Sequence, residues 1–483
     1  MNKQITKVAV VALILLASLM VATTYWQAYA APELADKQDN SIQRVAEFTV
    51  KRGKIYAADG STVLATNTVV KSAGQTLYLR RYPSRGLAAH IVGYSTQVRS
   101  RAGLERSEND FLTGANANLN TVVETTLDKL RGSTVEGNDL YTTIRPGAQR
   151  IALNALGGRC GAAVALEPGT GKVLVAVSSP TYDPNLVETN FPAASRSRFG
   201  CQPLLNRVTA GLYAPGSIFK VVTGSAALDA GEYTPESTFN DPGYCEEYGK
   251  RVENYDTSSP FGNVNLVEAM QYSINSVFCN IGKAIGGIKI LDTAKRFGFY
   301  SVPPLETPVN ERSASGLYDK GRLFFPEDDT QVDPGRLAFG QERMLVTPLQ
   351  MAMVSAAIAN DGVVMKPYVV DRIVAPDGTV VVQQRPEELG EAVSPEQARA
   401  IAAMMERVVC CGTGTAGKLS VPTAGKTGTA ETGIRGRNTT WFIAFAPVEN
   451  PRVAVAVVLE RQSGTGGTTA APIARQIMQA LIG

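Results

Sequence analysis

The chain has 483 residues, a formal net charge of +3 and a hydrophobic content of 44%, which fits a folded protein of about two domains. A net charge so close to zero gives no reason to expect nucleic acid as a partner. The sequence contains one histidine, His90, so a zinc site built from several imidazoles is excluded and a Ser-His-Asp triad would have to use this residue. We expect His90 to be a packed or surface residue, and we expect no metal and no cofactor. Lysine or a carboxylate would then carry any catalytic proton transfer.

The N-terminus contains an almost wholly apolar stretch, Val8 to Tyr25, which follows Lys3 and Lys7. Basic residues stay on the cytoplasmic side of a membrane, so the pattern predicts that the rest of the chain is exported. Ala28-Tyr29-Ala30 resembles a signal-peptidase site. The stretch is nevertheless long for a signal core and nearly long enough to span a bilayer. We favour an uncleaved single-pass anchor in residues 1–30 of a cell-membrane protein with an extracellular catalytic domain; cleavage after Ala30 is the alternative.

Six cysteines fit an oxidising compartment, and the sequence alone does not choose among their possible pairings. We expect Cys245 to pair with Cys279. We do not expect Cys410 and Cys411 to bond each other, because disulfide geometry is difficult to meet between neighbouring residues. Buried free thiols are the alternative for all six: Cys160, Cys201, Cys245, Cys279, Cys410 and Cys411.

Residues 31–157 are predicted to form a smaller, β-rich, non-catalytic domain. Its strand patterns cover Phe48 to Tyr56 and Thr76 to Tyr82, and Asp59-Gly60 marks a turn. Residues 158–483 are predicted to form a second domain, which begins with a β-hairpin. The strands of that hairpin are Ala162 to Leu166 and Lys172 to Ser178.

Helices and strands then alternate in blocks. Predicted helices cover Phe219 to Ala230, Leu266 to Ile285 (as one helix or a pair), Met344 to Asn360 and Pro472 to Ile482. Predicted strands cover Lys426 to Glu431, Thr440 to Ala446 and Val453 to Leu459. An antiparallel sheet of first and last strands, with a helical block inserted between them, is an α+β fold.

Candidate chemistry begins with Ser217-Ile218-Phe219-Lys220, the only Ser-x-x-Lys in the chain. A serine hydroxyl needs a nearby base to become a nucleophile, and a spacing of three residues puts both side chains on one helix face. Ala214-Pro215-Gly216 lets the chain turn sharply, so Ser217 is expected at a helix N-terminus, where free N–H groups favour negative charge. Lys220 can act as the base if burial or a neighbouring positive charge lowers its pKa.

A second candidate motif, Ser273-Ile274-Asn275, lies in a predicted helical stretch. The hydroxyl of Ser273 can pass a proton between Lys220 and a leaving amine. The side-chain amide of Asn275 can hold a substrate carbonyl.

The third motif, Lys426-Thr427-Gly428-Thr429, lies on a predicted strand. Alternate residues share a face, so Lys426 and Gly428 should face one way and Thr427 and Thr429 the other. Lysine and threonine offer donors for a carboxylate, and the glycine should let a substrate backbone approach closely. The backbone N–H groups of Thr429 and Ser217 can together form an oxyanion hole.

In this order, Ser-x-x-Lys, Ser-x-Asn and Lys-Thr-Gly form the signature of penicillin-binding proteins and class A β-lactamases. Further segments extend the likeness over nearly the whole chain, which resembles a class B penicillin-binding protein, closest to the penicillin-binding protein A type of actinobacteria. Those segments are Arg52-Gly53-Lys54-Ile55, Asp59-Gly60, Leu64-Ala65, Arg81-Tyr82-Pro83, Gly93-Tyr94, Gly103-Leu104-Glu105, and Val164-Ala165-Leu166-Glu167-Pro168 through Tyr182-Asp183-Pro184.

The resemblance implies a transpeptidase domain of the serine β-lactamase-like fold and a penicillin-sensitive D,D-transpeptidase that cross-links peptidoglycan stem peptides. It implies Ser217 as the acylated nucleophile, Lys220 as the base, Ser273 and Asn275 on a second wall, and residues 426–429 on a third. The implied partners are stem peptides, β-lactams, a glycosyltransferase and scaffold proteins of division or elongation. Residues 31–157 are too few for a glycosyltransferase domain in the chain itself.

Two alternatives remain on the same fold. Glu306-Thr307-Pro308-Val309-Asn310 resembles the Glu-x-x-x-Asn segment with which class A β-lactamases position a hydrolytic water. A β-lactamase or D,D-carboxypeptidase is therefore one alternative, and a non-enzymatic β-lactam sensor is the other. We expect Glu306 to be a structural loop residue.

Overall fold

The computed structural model of the protein describes residues 2–25, 47–72, 74–115, 136–196, 200–255, 260–434 and 436–483. Its helices are α1 (Asn2–Thr24), α2 (Ala89–Val92), α3 (Leu104–Ser107), α4 (Asn109–Thr113), α5 (Pro146–Leu156), α6 (Asn185–Thr189), α7 (Phe191–Ser195), α8 (Lys220–Asp229), α9 (Leu266–Gln271), α10 (Asn275–Ile285), α11 (Gly287–Arg296), α12 (Pro334–Leu337), α13 (Pro348–Ala359), α14 (Pro395–Cys411), α15 (Gly466–Thr469) and α16 (Ala471–Ile482).

The strands, in chain order, are β1 (Ile55–Tyr56), β2 (Val63–Ser72), β3 (Gln75–Arg81), β4 (Tyr94–Ser95), β5 (Arg101–Ala102), β6 (Asp139–Thr142), β7 (Gly161–Leu166), β8 (Val173–Ser179), β9 (Thr238–Asp241), β10 (Tyr244–Glu247), β11 (Lys250–Glu253), β12 (Gly262–Asn265), β13 (Gly316–Asp319), β14 (Arg322–Phe324), β15 (Met344–Leu345), β16 (Val363–Met365), β17 (Val370–Val374), β18 (Val380–Gln383), β19 (Glu388–Glu391), β20 (Ala424–Glu431), β21 (Asn438–Ala446) and β22 (Val453–Gln462).

A five-stranded antiparallel sheet, in the order β20-β21-β22-β7-β8, forms the centre of the larger part of the molecule. Strands β7 and β8 are the predicted hairpin, and β7 pairs with the last strand, β22. Both faces of the sheet are buried: α5 and α16 cover one face, and α13 with the helical block covers the other. Because neither face meets water, its inner strands are continuous apolar runs. The predicted α+β arrangement is confirmed.

A second sheet has six strands in the order β18-β17-β6-β1-β2-β3. Strand β1 is parallel to β6 and antiparallel to β2, and β17 is antiparallel to β6. Strands β17 and β18 come from the region predicted as the second domain, residues 158–483. The sheet therefore draws strands from both sides of the predicted division at residue 157, which stays a prediction.

Two predicted elements differ from the structure. Only Ile55–Tyr56 of the expected strand from Phe48 to Tyr56 pairs in a sheet, because the residues before it bond elsewhere: Arg52 is buried and pairs with Glu105 at 3.0 Å. The expected helix from Met344 starts at Pro348 instead. The side chain of Thr347 accepts a hydrogen bond from the Gln350 N–H and so sets that start.

The apolar N-terminal stretch is helical over Asn2–Thr24, and Thr6–Thr24 is long and apolar enough to cross a membrane, with a mean hydropathy of 2.2. No part of that span is buried against the rest of the protein. The possible cleavage site at Ala28-Tyr29-Ala30 lies outside the described residues. The helix therefore fits either an anchor or a signal segment by composition.

Three disulfides join the six cysteines. The predicted Cys245–Cys279 pair is confirmed, and it ties β10 to α10. A bond between Cys160 and Cys201 links the start of β7 to the loop that follows α7. The expectation that Cys410 and Cys411 would not bond each other is wrong: they form the third disulfide. Both stand at the end of α14, where the backbone leaves helical geometry at Gly412, so the pair is not held in the interior of a helix.

Candidate active site

Ser217 lies in a 3₁₀ turn, Gly216–Phe219, that leads directly into α8, as the Ala-Pro-Gly sequence predicts. Gly216 has φ +55°, and a Cβ on it would lie 3.0 Å from the carbonyl oxygen of Thr429. Glycine is therefore required both by the backbone conformation and by the close approach of β20. The Ser217 side chain is half-buried, and its hydroxyl has no hydrogen-bond partner within the described chain, so it is open to a ligand.

Ser273 occupies a strained turn between two helices and not the helical stretch expected from the sequence. The Ser273 N–H donates to the Met270 carbonyl, and the Ile274 N–H donates to the Ala269 carbonyl. These two bonds form the Schellman ending of α9, in which the residue at the position of Ser273 is left-handed and usually glycine. Ser273 has φ +59°, a conformation that is strained for a residue with a side chain. Such strain persists where the contacts of the side chain are needed, and those contacts are with the two lysines.

Lys220 is fully buried, and its ammonium points at this turn. Nζ donates to the Ser273 carbonyl at 2.7 Å, to Asn275 Oδ1 at 2.7 Å and to Ser273 Oγ at 3.2 Å. The amide of Asn275 is oriented for this contact because its Nδ2 donates to the Glu253 carbonyl at 3.0 Å. The left-handed turn thus presents both a carbonyl and a hydroxyl of one residue to Lys220.

Lys426 approaches the same hydroxyl from the other side. Its Nζ donates to Ser273 Oγ at 2.8 Å and to the Thr427 carbonyl at 3.0 Å. Burial, and after it the positive charge of Lys426, lower the pKa of Lys220 well below its usual value. Burial lowers the pKa of Lys426 to about 7. One oxygen between two buried amines favours the state in which Lys220 is neutral, the state that a base requires.

The Lys-Thr-Gly-Thr residues alternate on β20 as predicted. Thr427 Oγ1 lies 2.6 Å from Thr413 Oγ1, and Thr429 Oγ1 accepts from the Gly466 N–H at 3.3 Å. The prediction that Gly428 lets a substrate backbone approach closely is wrong. A Cβ there would lie 2.9 Å from the Pro215 carbonyl and 3.0 Å from Ile218 Cγ2, so the glycine admits the Ser217 turn and not a substrate backbone.

A buried carboxylate that the sequence analysis missed supports the Ser273–Asn275 wall. Asp241 accepts hydrogen bonds from the Ser276 hydroxyl, from Asn254 Nδ2 at 3.0 Å and from the Phe261 N–H at 2.9 Å. Asn254 Oδ1 in turn accepts from the Ser276 N–H at 3.0 Å. Burial works to raise the pKa of Asp241, but the hydrogen bonds from Ser276 and the backbone outweigh it, so the pKa lies below its usual value. An isolated aspartate at a strand end carries no sequence signal for this role.

The remaining candidates lie elsewhere. His90 is buried, its ring nitrogen is 2.6 Å from the Pro203 carbonyl, and burial lowers its pKa to about 4, so it is a packed residue as expected. Glu306 Oε2 accepts from the Val369 N–H at 2.8 Å, directly before β17. None of its hydrogen-bond partners in the described chain belongs to the Ser217, Lys220 and Ser273 cluster. The part of the chain that the structure describes contains no group of acidic, histidine and cysteine side chains that could hold a metal ion.

Comparison with known proteins gives two family matches. The family described as the penicillin-binding protein transpeptidase domain matches residues 161–479, and the family described as the penicillin-binding protein A dimerisation domain matches residues 52–140. Peptidoglycan D,D-transpeptidase PbpA of Mycolicibacterium smegmatis is 36% identical over 100% of this chain and 99% of its own. The PbpA of Mycobacterium tuberculosis is 35% identical over 100% of this chain and 99% of its own.

Solved structures agree. Penicillin-binding protein A of M. tuberculosis, as its ceftriaxone acyl-enzyme, superimposes with a TM-score of 0.81 at 32% identity, over 91% of this chain and 100% of that chain. Its penicillin G acyl-enzyme superimposes with a TM-score of 0.78 at 32% identity, over 90% and 100%.

We predict that Lys220→Met stabilises the protein while it removes the base. Because the folded-state pKa of Lys220 is lowered, the unfolded chain binds more protons between the two pKa values, and stability rises with pH across that range. Replacing the buried amine should raise the free energy of unfolding by about 1–4 kcal/mol near neutral pH. The gain should shrink as the pH approaches 10.5, the usual value for lysine. Denaturant unfolding at neutral and alkaline pH measures it. Exposed Lys289→Met is the control, and a Lys220→Met protein less stable than wild type at neutral pH contradicts the prediction.

We predict that Asp241→Asn slows acylation of Ser217 by a labelled penicillin severalfold. An amide in place of the carboxylate turns an N–H₂ group toward donors, so the support of Ser276 and Asn254 is lost. The free energy of unfolding should fall by about 1–3 kcal/mol. The matched control is Asp292→Asn, at an exposed carboxylate paired with Lys295 on α11. Equal acylation rates in the two variants would show that Asp241 does not position the site.

Proposed function

The chain belongs to the penicillin-binding protein transpeptidases, and from this membership we propose that it is a peptidoglycan D,D-transpeptidase that works through an acyl-enzyme on Ser217. The observation that carries the assignment of roles is the Ser273 hydroxyl, which accepts hydrogen bonds from both Lys220 and Lys426 beside the Ser217 turn. Both amines are buried, so their proton states respond to each other. The class B penicillin-binding protein predicted from the motifs is the family found.

Acylation begins with neutral Lys220, which takes the proton of Ser217 as its oxygen attacks the carbonyl carbon of the penultimate D-alanine of a stem peptide. The negative oxygen that forms is stabilised by backbone N–H groups, for which we propose those of Ser217 and Thr429. The bond to the terminal D-alanine then breaks, and the leaving amine receives a proton from Lys220 through Ser273. An amine of a second stem peptide attacks the ester, and Ser217 leaves with its proton restored.

Substrate binding falls to the remaining motif residues. Hydrogen-bond donors for the terminal carboxylate of the stem peptide, or for the carboxylate of a β-lactam, come from protonated Lys426, Thr427 and Thr429. Asn275, which accepts a hydrogen bond from Lys220, also binds an amide of the substrate. Gly428 contributes by keeping β20 close to the Ser217 turn. The solved relative of M. tuberculosis carries ceftriaxone and penicillin G as acyl-enzymes, which supports β-lactams as ligands of this site.

Placement of the enzyme follows from the N-terminal helix. We propose that the helix containing Thr6–Thr24 is a single membrane anchor, with the catalytic domain on the outer side and Lys3 and Lys7 at its cytoplasmic end. The three disulfides support an oxidising location. We further propose that a glycosyltransferase and scaffold proteins of division or elongation work beside it.

We predict that Ser217→Ala abolishes covalent labelling by a fluorescent penicillin and leaves the thermal unfolding temperature nearly unchanged. The removed hydroxyl is half-buried and makes no hydrogen bond within the described chain, so its loss leaves no partner unsatisfied. Ser225→Ala, on the helix α8 that follows the Ser217 turn, should label normally. A labelled alanine variant at position 217 would remove Ser217 from the mechanism.

We predict that the penicillin adduct is long-lived and that Glu306→Gln does not change its lifetime. The Glu306 carboxylate is engaged by the Val369 N–H, so it is not placed to activate water for hydrolysis. Mass spectrometry of the adduct over time makes the measurement. Rapid turnover by wild type together with a trapped adduct in Glu306→Gln would replace the transpeptidase assignment with a β-lactamase.

A further inference from the structure

The segment Cys411 to Gly414 joins two walls of the catalytic cleft. Gln271 Nε2 donates to the Cys411 carbonyl at 3.1 Å, and Gln271 lies two residues before Ser273. At its other end, Thr413 Oγ1 lies 2.6 Å from Thr427 Oγ1 on β20. The segment therefore connects the Ser273 turn to the Lys-Thr-Gly strand.

The fit of this segment leaves little free space. A Cβ on Gly412 would lie 2.4 Å from the Gln271 carbonyl oxygen, and a Cβ on Gly467 would lie 2.3 Å from the Thr413 carbonyl oxygen. Closely packed backbone transmits a displacement instead of absorbing it. A change in backbone conformation at Cys411 is therefore passed on to Gln271 and to Thr427.

The Cys410–Cys411 disulfide stands at the start of this segment and differs from the other two in accessibility. Cys411 is exposed and Cys410 is half-buried. The cysteines of the other two bonds are at most 9% exposed. Because thiol–disulfide exchange requires a thiolate to reach a sulfur, the Cys410–Cys411 bond is the one of the three that a reductant attacks first.

We propose that the Cys410–Cys411 disulfide is a redox modification site, and that its opening by a dithiol slows acylation of Ser217. The bond closes a small ring that contains the peptide between the two residues, and this ring restricts the backbone that presents the Cys411 carbonyl to Gln271. Opening it frees that backbone and loosens the Ser273 and Thr427 walls. The inference rests on the proposed function of Ser217.

The chemistry is a two-electron exchange. A thiolate of the dithiol attacks Cys411 Sγ and forms a mixed disulfide, and Cys410 leaves as a thiolate that takes up a proton. The second thiol of the reductant then attacks the mixed disulfide and releases Cys411 as a thiol. The dithiol is oxidised to a disulfide and the protein gains two thiols.

The test uses the full-length protein with dithiothreitol, alkylation of free thiols followed by peptide mass spectrometry, and the rate of labelling by a fluorescent penicillin. We expect Cys410 and Cys411 to be alkylated before the other four cysteines, with a severalfold slower labelling rate in the same samples. Oxidation with glutathione disulfide should restore the rate. Thermal unfolding of the same samples should show a retained cooperative transition.

Two double variants complete the design. Cys410→Ser with Cys411→Ser should label slowly and ignore the dithiol, whereas Cys160→Ser with Cys201→Ser should keep the dithiol response. The inference is overturned if the dithiol opens Cys410–Cys411 without changing the rate, if that bond resists the dithiol, or if the first double variant labels at the wild-type rate. Failure of the proposed function looks different: the fully oxidised protein would then stay unlabelled, lose its adduct rapidly, or still be labelled as Ser217→Ala, whatever the state of the Cys410–Cys411 bond.

Discussion

The site depends on holding two fully buried lysine amines against one serine oxygen. Each buried ammonium costs several kcal/mol of desolvation, and the mutual repulsion of two adds to that cost. Loss of the proton from Lys220 removes both its desolvation cost and its repulsion with Lys426. The same burial that destabilises the fold therefore makes Lys220 a base. Lys426 keeps the contact with the Ser273 hydroxyl from the opposite side. The geometry of Ser273 is therefore the constraint that the rest of the structure serves.

That constraint explains why rigid elements surround the cleft. The Ser217 turn is packed against β20 at two glycines, Gly216 and Gly428, where any side chain would separate the nucleophile from the lysines. The sheet behind it is buried on both faces, so β20 has little freedom to shift. On the opposite wall, the Cys245–Cys279 disulfide and the Asp241 hydrogen bonds hold α10, whose first residue is Asn275. Each device removes a motion that would lengthen the contacts of Lys220.

The sequence was sufficient for the order of the motifs, the central sheet and the chemistry that each side chain offers, because those follow from residue type and periodicity. It was insufficient where backbone geometry or tertiary contact decides. The left-handed conformation of Ser273 was not predicted, because the left-handed position of a Schellman ending is normally occupied by glycine. Asp241 carries no local pattern, and the Cys410–Cys411 bond contradicts the usual spacing argument. The pairing of β17 with β6 is also non-local, since it joins residues far apart in the chain.

The segment that resembles a β-lactamase loop shows how the same residues take a different role. Glu306 caps the N–H of Val369, and the nearby Glu311 carboxylate accepts from the Gly103 N–H at 3.1 Å. Arg106 reaches Asn310 at 3.4 Å. These contacts join the loop to the residue that precedes β17 of the six-stranded sheet and to Gly103 and Arg106 of the N-terminal region. A carboxylate committed to such a junction is not available to orient water at Ser217. One placement of the loop therefore accounts both for the contacts of Glu311 and Asn310 with the N-terminal region and for the position of Glu306 away from the Lys220 and Ser273 contacts.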